Sequence, residues 1–141
     1  MDREELVLAG LGVAQGEYHT PVQVQKLFFL IEQNIATQLG GPHFSFRPHN
    51  YGPFDQAVYE TLDGLARADL VEIDTTLPWR RYRLTCRGQE RADRILQTLP
   101  ASVVTFLRRA SEFVLGLGFT DLVRAIYKTY PEMRANSVFQ E

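Results

Sequence analysis

Residues His49, Asn50, Tyr51, Gly52, Pro53 and Phe54 restrict the fold of this chain more tightly than any other stretch. Gly52 can take backbone angles closed to residues with side chains, and Pro53 lacks the N–H that a first helical turn leaves unpaired. The pair therefore predicts a helix starting at Pro53. That helix, running to Ala68, would bury Phe54, Val58, Leu62 and Leu65, with Leu70 closing it and Tyr51 packed beneath its start. Two short alternating stretches follow, Val71 to Asp74 and Arg81 to Thr85, joined near Pro78. Pairing Val71 with Leu84 and Ile73 with Tyr82 sets apolar against apolar; the same register sets Glu72 against Arg83 and Asp74 against Arg81. Helix, two-stranded wing and helix is the order of a winged-helix unit.

Upstream, Thr20 and Pro21 open a helix whose apolar residues Val24, Leu27, Phe28, Ile31, Ile35 and Leu39 recur at helical spacing. Phe29 and Leu30 widen its apolar face, which predicts burial on two sides. Gly40, Gly41 and Pro42 stop it, and Phe44, Phe46 and Pro48 alternate like an edge strand added to the wing hairpin. Leu6 to Ala14 reads as a first helix ended by the glycines at 10, 12 and 16. The acidic residues ahead of it, and the absence of a lysine and hydroxyl at P-loop spacing, argue against a secretion signal and a phosphate loop respectively.

Downstream, Thr85 leads a helix to Leu96 on which Arg87, Arg91 and Arg94 alternate with Glu90 and Asp93, a solvated face. After Pro100 an apolar helix carries Val103, Val104, Phe106, Leu107, Ala110, Phe113 and Val114 as far as the Gly116 to Gly118 turn. Thr120 is expected to cap a last helix burying Leu122, Val123, Ile126, Tyr127 and Tyr130. The tail retains Met133, Val138 and Phe139, enough apolar surface to dock on the domain or on another chain. The whole reads as one domain over 1–141 of the mainly α, α+β class: a winged-helix-like core at 20–96 with a small β-hairpin wing, then a C-terminal helix pair and tail at 100–141.

A formal net charge of −2 and 45% hydrophobic composition describe a folded chain with no global attraction for phosphate. The single Cys86 allows no internal disulfide, reads as cytoplasmic, and is expected to be a semi-buried, inert thiol. No apolar run reaches the roughly 20 residues of a membrane span. His19, His43 and His49 lack the spacing and the glutamate of a zinc motif and read as three unrelated surface histidines, His49 with Asn50 organising the Tyr51 turn. Neither a catalytic residue nor a cofactor or metal site is expected.

Gln25, Lys26, Leu27 and Phe28 in an early helix, Tyr51, Gly52 and Pro53 before the next, and Tyr82, Arg83, Leu84, Thr85 and Gly88 after a hairpin form an ordered set. Through it the chain resembles the Panacea family, also called SocA-like, over roughly residues 20 to 95. Phe54 departs from the small aliphatic residue often found after the family's turn, and the C-terminal helices have no counterpart in the resemblance. The resemblance implies neutralisation of bacterial or phage toxins through protein contact.

Two target classes compete for the wing. DNA is the usual one, met here by Arg80, Arg81 and Arg83, with the last two helices joining a homodimer. Yet the helix before the wing carries Asp55, Glu60 and Asp63 against Arg67, and Arg81 and Arg83 face carboxylates across the hairpin. That balance favours another protein, a toxin or defence-system component. Trp79 and Arg80 at the wing tip are its expected contacts, with Met133 and Phe139 in the tail as a second or dimer surface. Trp79 has two readings, an outward anchor or a ring folded back over the hairpin.

Overall fold

The computed structural model describes residues 1–140. Six α-helices and two small antiparallel hairpins make a mainly helical α+β architecture. The first helix, α1 (Arg3–Gly12), is buried on every side from Leu6 to Gly12 and packs on the helices that follow. Asp2 caps it through the backbone N–H of Glu5, whose side chain returns the bond. Gly10 lies inside this helix and Gly12 is its last residue: a Cβ at 10 would sit 2.6 Å from the Phe28 ring and one at 12 would sit 2.6 Å from the Ala92 methyl. They let two helices approach more closely than side chains would allow.

Helix α2 (Pro21–Ile35) starts where expected, in a capping box between Thr20 and Gln23, and buries both Phe28 and Phe29. A 3-10 turn, Thr37–Leu39, carries its apolar pattern onward to Leu39. Phe44 and Phe46 then fold back over α2, with ring centroids 6.3 Å from Phe28 and 5.6 Å from Phe29 respectively.

The next segment corrects two expectations. Gly52–Phe54 is a strand (β2) paired antiparallel with Arg47–His49 (β1), and Pro53 lies opposite Pro48. The helix α3 (Gln56–Arg67) starts three residues after Pro53, because Asp55 turns its carboxylate back to the Ala57 N–H and caps it there. Gly52, at φ 119°, supplies the turn that lets β2 run back along β1.

The second hairpin, the segment expected to form the wing and called so below, is β3 (Val71–Asp74) against β4 (Arg81–Leu84), in the register read from the sequence. Its open edge is met by His19 and not by residues 44–48: the His19 and Tyr82 backbones exchange two hydrogen bonds of 2.8 Å. Phe44 and Phe46 are drawn away from that edge by the aromatic surface of α2.

Thr85 caps α4 (Cys86–Gln97), and α5 (Ala101–Gly116) runs against α2 and α1. The last helix, α6 (Phe119–Thr129), begins one residue before Thr120; its N-cap is Gly118, with no side-chain bond. The tail docks on this same chain. Its 3-10 turn, Pro131–Arg134, buries Met133, and the Val138 N–H and Ser137 hydroxyl both donate to the Asn50 carbonyl between β1 and β2. No helix among the described residues is long and apolar enough to cross a membrane.

Candidate functional site

The wing's cations are held by its own anions. Arg83 Nε donates to Glu72 Oε2 at 2.7 Å, while Arg81 gives both Nε and Nη2 to Asp74 Oδ2. Tyr18, just ahead of the His19 bridge, completes the cluster: its hydroxyl donates to Glu72 Oε2 at 2.6 Å. Both guanidiniums stack on its ring, 4.0 and 4.4 Å from the centroid. The carboxylates respond as paired groups should. Arg81 and then Thr76 hold Asp74 down at about 2, and the Tyr18 hydroxyl and then Arg83 lower Glu72. Arg80 alone points away, over half exposed, with Asp63 at 3.8 Å.

Trp79 beside it is 53% exposed. Pro78 and the polar turn carry the ring outward, and Trp79, Thr20, Pro21, Val22 and Phe119 line one open apolar groove of about 420 Å3. Phe119 is itself 47% exposed because Gly118 and the uncapped start of α6 place it at a corner. Its ring meets Tyr51 edge-on at 5.2 Å and Phe139 at 6.2 Å. The structure thus brings together two residues far apart in sequence, Trp79 and Phe139, with Phe119 between them.

Several residues stand elsewhere than the sequence suggested. Met133 is 8% exposed and packs within the chain's own core, and Phe139 is half-buried against that same core, so the two do not form an outer surface. Tyr51 lies on the surface against Phe119 and not beneath α3. Cys86 is exposed. Two of the three histidines are not surface groups: His19 is fully buried, and the His43 ring is enclosed beside Glu32 while its Nε2 meets the Met1 carbonyl at 2.8 Å. Burial pushes His19 down to about 4, so it is neutral at neutral pH. His49 is exposed and stacks on Phe54 at 4.6 Å; the Asn50 carbonyl serves the tail.

Next to the aromatic groove lies a smaller cleft of about 140 Å3 between α2 and the β1–β2 turn. Gln25 joins these elements through two hydrogen bonds with the Asp55 backbone, at 2.9 and 3.0 Å, and Lys26 Nζ donates to the Tyr51 carbonyl at 2.6 Å. The two short motifs at 25–28 and 51–53 are therefore one physical unit. Val22 and Tyr51 link it to the groove, since Val22 lines both and Tyr51 leans on Phe119.

Phe119 and Tyr18 escaped the sequence reading. Phe119 sits in Gly-Phe-Thr context after a turn, ahead of the expected cap at Thr120, although its spacing to Leu122 and Val123 continues the apolar face of α6. Tyr18 precedes His19 in a segment with no periodicity, and only the long-range bridge to Tyr82 puts it beneath the wing.

Comparison with family models, curated proteins and solved structures returned no match.

Proposed function

We propose that this chain is a non-enzymatic regulatory or neutralising module that binds another protein, of the kind found in bacterial or phage toxin–antitoxin and defence systems. The observation that carries this reading is the division of labour at the wing. Its two strand guanidiniums are closed on Asp74, Glu72 and Tyr18, while Trp79 and Phe119 remain open on an apolar groove. Guanidiniums engaged in this way would have to break those pairs before meeting a phosphate, whereas an exposed tryptophan beside an arginine suits the buried centre of a protein interface.

Two further observations support it. The arrangement of α3, β3, β4 and α4 suits a winged-helix-like core. The residues of the Panacea resemblance are coupled by the bonds of Gln25 and Lys26 to the segment 51–55, as working parts of one site would be. The partner would bring an apolar side chain to Trp79 and Phe119, with Arg80 and Phe139 at the margins.

The test is co-expression with products of neighbouring genes in the native host, scored for growth rescue and for co-purification. Trp79→Ala and Phe119→Ala should each weaken the complex by about 2 kcal/mol, roughly thirtyfold, while the unfolding temperature holds. A partner retained equally by both variants would defeat the reading.

The second reading is a DNA-binding transcription regulator, dimerised through α5 and α6. What favours it is Arg80, whose guanidinium is over half exposed with Asp63 at 3.8 Å, and Phe113, which α5 leaves on the surface. Duplex titration at two salt concentrations decides between them. Salt-sensitive binding lost on Arg80→Ala favours the regulator, and no binding at low salt favours the protein partner.

A further inference from the structure

Lys26 is the buried charge for which the fold supplies no counter-charge. It is 1% exposed, and among the described residues its Nζ has one hydrogen-bond partner, the Tyr51 carbonyl at 2.6 Å. Among the described residues no carboxylate lies within ion-pair distance of it. Burial alone pulls it down to about 8, with no neighbouring charge acting on it. An ammonium has three N–H donors, so the Tyr51 bond leaves two. Burying a cation without its anion costs several kcal/mol, and a methionine would fill this position without that cost.

Lys26 stands in the wall of a cleft, covered almost completely by its neighbours. Nζ borders the cleft formed with Gln25, His49, Asn50, Tyr51 and Gly52. Position 52 has no side chain; a Cβ there would stand 3.4 Å from Nζ. The nearest acidic residue in sequence on the facing segment, Asp55, has both oxygens engaged, one by the Ser45 N–H at 2.7 Å and the other by the Ala57 N–H at 2.9 Å. The Tyr59 hydroxyl, on the remaining wall, donates to the Pro21 carbonyl at 3.3 Å. At about 140 Å3 the cleft exceeds the roughly 30 Å3 share of one water molecule, and it offers one positive charge.

We propose that the Lys26 cleft is a carboxylate-binding subsite, in which a single planar anion takes the free donors of Nζ while the Tyr51 carbonyl holds the third. One ammonium matches one carboxylate in charge; a phosphate dianion would bring an excess negative charge into a partly apolar cleft. The carboxylate can come from an acidic side chain of a peptide, from a peptide C-terminus, or from a free small acid. The assignment stands on the cleft alone, so a small probe binds or fails to bind whether or not Trp79 and Phe119 meet a protein.

The experiment is a titration of the full chain with sodium acetate, followed by amide shifts of Tyr51 and Gly52 and by the titration of the Lys26 side chain. Acetamide and sodium chloride at matched ionic strength serve as controls. Saturable shifts with acetate alone, together with an upward move of the Lys26 titration toward the ordinary lysine value, are expected. Lys26→Met should abolish the acetate response; should that variant fail to fold, the wild-type titration decides by itself. An equal response to acetamide or chloride, a linear response, or an unmoved Lys26 titration overturns the proposal. Two peptides then identify the source by competition with acetate: one with an internal glutamate and an amidated end, one neutral with a free C-terminus. Competition by neither assigns the cleft to a free small acid.

Discussion

The wing and the Lys26 cleft treat positive charge in opposite ways. On the wing, where water would solvate a guanidinium at little cost, Arg81 and Arg83 are each given a carboxylate and share the face of Tyr18. In the cleft, where a charge is most expensive, Lys26 has one carbonyl. Surface pairs contribute little to stability, and an unpaired buried ammonium subtracts from it. Stability therefore explains neither arrangement. On the readings proposed above, pairing on the hairpin withdraws cations from outside ligands, and the lack of pairing in the cleft leaves one for a carboxylate. The comparison rests on the two regions being separable, and the largest predicted effect tests that.

Gly88 is where α4 meets the base of the wing, and a Cβ there would run into the carbonyl oxygen of Leu70. Backbone cannot move aside as a flexible side chain does, so Gly88→Ala should destabilise the protein by about 3 kcal/mol in urea unfolding. Hydrogen exchange should accelerate at Tyr82 before it does at Gly52. Simultaneous loss of protection at both would join wing and cleft into one cooperative unit and weaken the contrast drawn here.

Protonation gives two effects of similar size and the same sign, in different pH windows. His19 titrates at about 4 in the folded chain against 6.5 ordinarily, so the unfolded state binds its proton first as pH falls. The stability associated with the neutral ring is complete above 6.5 and is lost toward 4; between pH 7.5 and 5 the loss should be about 2 kcal/mol. His19→Leu should flatten that slope. Lys26 repeats the pattern at higher pH, at about 8 folded against 10.5. Its proton is the one the folded state resists holding, so stability should rise by about 2 kcal/mol from pH 7.5 to 9.5. Lys26→Met should remove this rise and unfold no more easily than wild type at pH 7.5. A flat wild-type profile would mean that the ammonium is better solvated than its burial implies.

These regions also differ in how far the sequence revealed them. The wing register was legible because apolar pairs and charge pairs both demand it: Val71 opposite Leu84 and Glu72 opposite Arg83 cannot be satisfied by a slipped alignment. The start of α3 was not, because Gly52 and Pro53 serve a tight strand turn as well as a helix start, and Asp55 decides between them through a bond to Ala57. The outward position of Trp79 was one of two readings that sequence left open. Phe119 and the burial of Met133 depend on where α6 and the tail come to rest, which follows from tertiary packing and has no local signature. Lys26 lay in plain view within a motif, but a lysine between Gln25 and Leu27 reads as solvated until Tyr51 and Gly52 are folded over it. His19 was misread for the same reason: its burial comes from a bridge to a residue more than sixty positions away.

The smallest change in stability is expected from the wing's ion pairs, and it carries the sharpest test of what they do. Glu72 and Asp74 are the partners that occupy Arg83 and Arg81, so Glu72→Gln with Asp74→Asn leaves the hairpin's shape and packing in place while removing both negative charges. Hydrogen-bonding capacity is largely retained, and the unfolding midpoint should stay within measurement error. The guanidiniums, still stacked on Tyr18, would then lie beside the exposed Arg80 as a positive strip. Duplex DNA, which wild type is predicted not to bind at low salt, should now bind weakly, with a logarithmic salt slope of about −2 for two newly freed phosphate contacts. Tyr18→Ala on that background would lower the affinity by releasing the guanidiniums from their shared platform. Should the double variant remain inert toward DNA, internal pairing is not what keeps this wing from nucleic acid, and its shape or the acidic residues of α3 must do so instead. Should wild type already bind with that slope, the pairs are open in solution and the contrast with Lys26 loses its functional meaning.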